Sequence, residues 1–366
     1  MRQARLLKDL EAAIDAARTQ LAADCARAER ACYLARQGRV DDAKLVVMAL
    51  REQYAASPNV AMSAWLSLAE GLEIYFRNLG AGSHDKVMRA HALSAAARLT
   101  PMQALSAAWL AQMDFTRLDV DSMARHVKEA LTLASPSDFA ARGRASLVIA
   151  QALHFALRFD LALPWYRRAH RWATQQGDDT AISALMHNMA CMRLDGLRQI
   201  KLTGLPGGDE ESALLTGTES TSRFDEMVGA SSLKALNPLL IARIHSLQGR
   251  PANALVLYEE HIANDSEGDF ARMRSDLLSD VAWCSFQVGE REAAMSAALN
   301  AEANLTPQTQ IDDRAATHTR LGWLYAALED VQQATRHQTL AADAWGQFVH
   351  LQDRIVQALG TVSEAD

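Results

Sequence analysis

Very little in this chain interrupts a helix. Its 366 residues include only eight prolines, and Pro58, Pro101, Pro136, Pro251 and Pro307 all fall between helical runs. There the fixed φ and the missing N–H are tolerated. The period-2 alternation of a half-buried strand is missing throughout, which excludes folds built on a sheet. No apolar run approaches the roughly 20 residues that a membrane-spanning helix needs. The amino terminus, MRQARLLKDLEAAIDAARTQ, is a charged amphipathic helix without the apolar core of a signal peptide. A cytoplasmic location is therefore expected, with no membrane partner. Cysteine is scarce as well, with four in all. Cys25 and Cys32 lie two helical turns apart, about 10 Å along the axis, too far for a disulfide within one helix. Cys191 and Cys284 sit alone in apolar helical contexts, so free thiols are expected at all four positions.

Basic charge is also thin. The formal net charge is −7, and the basic residues form only short clusters such as Arg167, Arg168 and Arg171. Phosphate binding needs a basic stripe, so nucleic acid is excluded as the main partner. Signatures of cofactor and catalytic chemistry are missing: no phosphate-binding or dinucleotide-binding glycine loop, no H-E-x-x-H, no paired C-x-x-C and no G-x-S-x-G. No cofactor and no enzymatic activity are expected. The nearest approach to a reactive group is His187, Asn188 and Cys191, with His154 one unit earlier. His187 and Cys191 share a helix face. A metal would need a third or fourth ligand, and a nucleophilic cysteine would need an orienting group and an oxyanion hole.

What is present in quantity is a period. A small residue recurs at Ala31, Ala69, Ala111, Ala150, Ala190, Ala242, Ala282 and Gly322, at spacings of 38, 42, 39, 40, 52, 40 and 40. Each lies in an apolar helical stretch, and a second helix follows within a few residues. Apolar residues make up 49% of the chain, much of it alanine, which favours helix and lets helices approach closely. A fixed period in this range signals stacked helix pairs, each burying one side only until its neighbours cover the other. The spacing predicts an all-α fold of about eight antiparallel helix pairs, an α-solenoid over residues 22–345. A capping helix is expected over 1–21, and a closing helix with a frayed tail over 346–366. Two interruptions stand out. NLGAGSHD (78–85) lengthens the turn of the second unit. LTGLPGGDEESALLTGTESTSR (202–223) is rich in Gly, Ser, Thr and acid and reads as a mobile surface loop, with docking or phosphorylation around Thr218 to Ser222 as the functional alternative.

The repeats carry a resemblance. The last unit reads Ala315-x2-His318-x2-Leu321-Gly322-x2-Tyr325, then Ala334 and Ala341; the second reads Trp65-x2-Leu68-Ala69-x2-Leu72, then Ala90, Ala97 and Pro101. This resembles the tetratricopeptide repeat, with a period nearer forty than the family's usual thirty-four. Such long units are similar to the tetratricopeptide regions of bacterial regulators and of kinesin light chains. Alanine- and arginine-rich usage fits a GC-rich bacterial genome. The resemblance implies a right-handed solenoid whose first helices line a concave wall. On that wall it places Arg144, Gln151, His154, His187, Asn188, Arg243, Asp280, Trp283, Arg320 and Trp323, with Glu70, Glu73 and Gln112 beside them. It also implies a scaffold or regulatory protein that binds a partner protein segment or peptide there. The alternative is a ligand-sensing regulatory module, answering to a small molecule or signalling peptide and controlling a separate output protein. The terminal-carboxylate clamp of some family members is not supported, because the matching places carry Cys25, Ala28 and Cys32, then Ser63, Leu66 and Glu70. Oligomeric state is left open.

Overall fold

The computed structural model describes residues 4–78, 82–205, 212–231, 236–263 and 272–362. Among these it is all-helical, with seventeen helices and no strand. In chain order they are α1 (Arg5–Asp15), α2 (Gln20–Gln37), α3 (Val40–Gln53), α4 (Val60–Asn78), α5 (Gly82–Ala96), α6 (Thr100–Thr116), α7 (Val120–Leu133), α8 (Phe139–Phe155), α9 (Phe159–Gln176), α10 (Asp179–Thr203), α11 (Ser212–Val228), α12 (Asn237–Leu247), α13 (Pro251–Ala263), α14 (Arg274–Gln287), α15 (Arg291–Ala303), α16 (Ile311–Ala327) and α17 (Val331–Leu359). No described helix is long and apolar enough to cross a membrane.

The chain divides into two compact units. The first comprises Met1–Met189, Ser220–Lys234 and Ile355–Asp366; the second comprises Ala190–Glu219 and Ala235–Arg354. In the first, each helix packs on the next from α1 to α9, and α2 also meets α4 while α6 meets α8. In the second, α12, α14 and α16 lie in succession, with α13 and α15 packed beside them. The periodic small residues make these approaches possible. Ala31, Ala69, Ala111, Ala150, Ala242, Ala282 and Gly322 are all buried, and Ala190 is half-buried. A Cβ on Gly322 would sit 3.3 Å from Gln338 Cγ and 3.4 Å from its backbone nitrogen on α17.

The turn that ends each first helix repeats as closely as the small residue does. Seven positions beyond Ala31, Ala111, Ala150, Ala242, Ala282 and Gly322 stand Gly38, Leu118, Leu157, Gly249, Gly289 and Glu329, all with φ between 57° and 92°. Each turn closes with the next residue's N–H donated five positions back: Arg39 to Leu34, Asp119 to Asp114, Arg158 to Leu153, Arg250 to His245, Glu290 to Ser285 and Asp330 to Tyr325. That is the Schellman closure, which satisfies carbonyls the helix end leaves open. At Phe76 and Leu197, the equivalent places after Ala69 and Ala190, the chain is still helical, because α4 and α10 run on to Asn78 and Thr203.

These run-on helices correct two expectations. Where a longer turn was expected around 78–85, α4 runs to Asn78 and α5 already starts at Gly82, while 79–81 lie outside the described residues. The segment expected to be a surface loop over 202–223 carries α11 from Ser212, while 206–211 lie outside the described residues. Thr221 is buried, and Ser183 Oγ donates to the Asp225 carboxylate. At the amino terminus, α1 lays Leu6, Leu7 and Leu10 against Tyr33. It is tied down by the Leu6 N–H on the Gly177 carbonyl, 3.1 Å, and by Arg5 on the carbonyls of Thr174 and Gln175. In α17, Phe348 is buried and Trp345 donates to Thr319 Oγ1 at 2.9 Å, so both aromatic residues are taken up within the second unit.

Candidate functional site

The first helices of the second unit are joined by a buried ionic network. Asp276 and Asp280 stand one turn apart on α14, so both carboxylates face the same way. Arg198 on α10 grips Asp276 with both terminal nitrogens and reaches Asp280 at 3.0 Å. Arg243 on α12 also donates to Asp276. Arg320 on α16 donates through Nε to Asp280 at 3.1 Å, and the Tyr258 hydroxyl donates to the same carboxylate at 3.3 Å. All five charged groups are nine-tenths or more buried. Burial pushes Asp280 up, but Arg198, Arg320 and Arg243 outweigh it and hold the carboxyl below its ordinary range. Burial depresses Arg198 less than Asp276 and Asp280 raise it. Further acid borders the network. Burial pushes Asp312 up to about 6, with Asp195 adding to the shift, and burial also raises Asp195 and Asp313.

Beside the network lies an aromatic pad. Trp283 and Trp323 meet edge to face at 5.5 Å, Phe286 stacks on Trp283 at 5.9 Å, and the Arg320 guanidinium lies 5.3 Å from the Trp323 ring. Both tryptophans and Phe286 are only half-buried. The wall members of this unit named from the sequence are thus brought together. Arg243, Asp280 and Arg320 already have partners, and Trp283 and Trp323 keep an accessible face.

In the first unit the wall members are Arg144, Gln151, His154, His187 and Asn188. Gln151 accepts from Gln112 at 3.4 Å, His154 pairs with the Tyr166 hydroxyl at 3.2 Å, His187 is buried and Asn188 is half-buried. Arg144 differs from the others. Its guanidinium lies 4.0 Å over the Trp109 ring, and among the described residues it has no ion pair or hydrogen bond. It borders a cavity of about 50 Å³ with Trp65, Leu68, Leu105 and Leu147. Leu6 and Leu10 of α1 also line it, as do Arg36, Asp178 and Glu29. Arg36 is committed to Asp178 at 2.6 Å. Burial lowers the Arg144 guanidinium to about 10, and the nearby charge of Arg36 lowers it further.

No group of three or more His, Cys, Asp or Glu side chains among the described residues is placed to hold a metal. None of the four cysteines forms a disulfide, and burial pushes Cys32 up to about 12 and Cys284 to about 11. No protein-family model matches this chain, and no curated protein does.

Sequence reasoning missed Arg198, Asp276 and Tyr258. Part of the signal was there: Asp280 and Arg320 are forty residues apart, as are Trp283 and Trp323, so equivalent positions of adjacent units meet. Arg198 lies past residue 196, where the repeat loses its phase, and nothing local marks it as a partner of residues 78 and 82 positions away.

Proposed function

We propose that this chain is a non-enzymatic, cytoplasmic interaction module of tetratricopeptide type. It is read as a right-handed α-solenoid of helix pairs that presents its first-helix wall to a partner protein segment. The observation that carries this is the half-buried pad of Trp283, Phe286 and Trp323 beside Arg320. Tryptophan and arginine are enriched in binding hot spots, tryptophan because it buries a large area with only two side-chain torsions to fix. The charged wall members have a different part in this reading. Arg243, Asp280 and Arg320 hold α12, α14 and α16 in register and so fix the pad's geometry, while an apolar anchor of the partner seats on the rings.

The test is capture from a bacterial lysate by the wild type and by the Trp283→Ser and Trp323→Ser variants, with helix content followed by circular dichroism. A partner retained by the wild type and weakened at least about tenfold by either folded variant supports the reading. Equal capture by all three proteins overturns it. Charge reversal at Arg144, His187 and Arg243 would not be a fair test, since all three are buried and their loss would perturb folding.

A second reading, ligand sensing by the first unit, is favoured by one observation: the Arg144 guanidinium, with no ion pair or hydrogen bond among the described residues, borders a largely apolar cavity. A ligand bound there would touch α1, α2, α6 and α8 together and so could bias their packing.

A further inference from the structure

We propose that Asp312 and Asp313, in the first turn of α16, form a binding site for a guanidinium group, supplied by an arginine side chain of the partner segment. This deepens the docking reading and, for the source of the guanidinium, rests on it. The balance of charge in the second unit carries the argument. Among the described residues, Arg198, Arg243 and Arg320 hold Asp276 and Asp280, and Arg243 also reaches Asp195 at 3.9 Å. Three guanidiniums thus meet three carboxylates, all in their ordinary ionised states, and Asp312 and Asp313 are left over. Arg314, the next residue in the chain, donates instead to the carbonyls of Thr306, Pro307 and Thr309. The two surplus carboxyls also lack contacts. Asp313 is nine-tenths buried, and among the described residues its side chain has no ion pair and no hydrogen bond. The Oδ1 atom of Asp312 is buried without a hydrogen-bond partner.

Asp313 faces the network, because the charges acting on it besides Asp312 are Asp276 on α14, Arg243 on α12 and Arg198 on α10. Asp312 is acted on by Asp195 on α10 and by Asp276. Acidic residues in a helix's first turn are ordinarily settled by the helix dipole, which holds their pKa low. Here burial and the neighbouring carboxylates raise both instead, so the helix end does not satisfy them. Solvent reaches the place: Asp195 keeps 34% of its side chain exposed, and Asp312 is half-buried. The missing cation is organic. A chelated metal needs several ligand atoms within about 2.6 Å of one point, and no such group of side chains stands among the described residues. A guanidinium reaches carboxylates at about 2.8 Å through several N–H donors, so it can bridge two that stand apart. It is also more weakly hydrated than an ammonium, which lowers the cost of approaching a carboxyl as buried as Asp313. Asp313, Arg320 and Trp323 share a face of α16, and ten residues of helix, about 15 Å, separate Asp313 from Trp323. An extended segment with an apolar residue on the rings would therefore carry its arginine about four or five residues away.

Isothermal titration calorimetry on the intact protein tests the site, with Nα-acetylarginine amide as the probe and Nα-acetylcitrulline amide as its uncharged isostere. Saturable one-to-one binding of the arginine probe is expected, with the citrulline probe at least about tenfold weaker, the loss typical of a charge-assisted contact. Asp313→Asn should lose at least about tenfold in affinity for the arginine probe while keeping its helix content. Affinity should also fall at least about fivefold from pH 7.5 to pH 5, because protons then compete with the cation for the two carboxyls. Absence of saturable binding up to about 50 mM probe, a range covering even weak fragment-sized ligands, overturns the proposal. So does equal affinity for the citrulline probe, a comparison that needs no variant and stands even if Asp313→Asn misfolds. A partner captured equally by the wild type and by folded Asp313→Asn overturns the partner as the source of the guanidinium. A failed titration leaves the docking reading on Trp283 and Trp323 intact. Conversely, equal capture by the tryptophan variants leaves the arginine titration standing.

Discussion

Two buried histidines show how a single side chain links this fold to pH. His318 on α16 and His337 on α17 share a hydrogen bond of 3.0 Å between their Nδ1 atoms, which requires one to donate and the other to accept. Burial lowers both pKa values, that of His318 to about 4, and their mutual proximity adds to the shift of His318. An unfolded histidine titrates near about 6.5. Between that value and 4 the unfolded chain therefore takes up a proton that the folded His318 refuses, so stability falls as pH drops through this window and is whole above it. Asp312 works in the opposite sense. Its folded pKa is raised to about 6, so the folded state binds the extra proton and gains stability as pH falls from above 6 toward the ordinary carboxylate range. The two contributions separate in variants. Between pH 7 and 5 the melting temperature of His318→Gln should fall less than that of the wild type. Asp312→Asn should be more stable than the wild type at pH 7.5 and should lose that advantage near pH 4. Parallel pH profiles for wild type and variants would contradict both assignments.

At the scale of helices and turns, the left-handed closing residue gives a second prediction. Gly38, Gly249 and Gly289 take positive φ freely, whereas Leu118, Leu157 and Glu329 hold the same conformation at φ 57°, 57° and 63°. For a residue with a Cβ this costs about 1–2 kcal/mol, against which glycine loses about 0.4–1 kcal/mol through the unfolded chain. Glu329 is exposed, so Glu329→Gly removes strain without opening a cavity and should raise stability by about 0.5–1 kcal/mol, read as a shift in the urea midpoint. A lower midpoint would show that the turn is not strained. The ionic network predicts the reverse sign. Asp276→Ala would leave Arg198 and Arg243 without their shared carboxylate and should cost about 3–5 kcal/mol in the same measurement. A loss below about 1 kcal/mol, the worth of an exposed pair, would mean that the network is hydrated.

These elements also show what the sequence makes legible. Seven of the eight periodic small residues are buried, and at Gly322 the backbone of α17 comes close enough to leave little room for a Cβ. The period misread the second and fifth units, where α4 and α10 continue through the turn and the extra residues lengthen a helix instead of a loop. Composition misled over 212–223, where α11 begins at Ser212, Thr221 is buried, and Asp225 accepts from Ser183 far away in the chain. The pairing of Asp280 with Arg320 and of Trp283 with Trp323 was legible because residues forty apart stand side by side. Arg198 was not, because its partners are fixed by three-dimensional packing that no local spacing encodes. Nor could a sequence show that Arg243 and Asp280 would be consumed within the wall while Arg144 would be left unpaired.

Taken as a molecule, the chain divides into two compact units with different buried chemistry. In the second, Asp276 and Asp280 are paired with Arg198, Arg243 and Arg320 beside a half-buried aromatic pad; in the first, the Arg144 guanidinium lies over Trp109 beside a cavity of about 50 Å³. Docking on the pad is the central claim, and hydrogen–deuterium exchange with and without the captured partner tests it most directly. The expected result is slowed exchange concentrated in 274–287 and 311–327, the two helices that carry Trp283, Phe286 and Trp323. Slowed exchange confined to other helices, with those two unchanged, would contradict it.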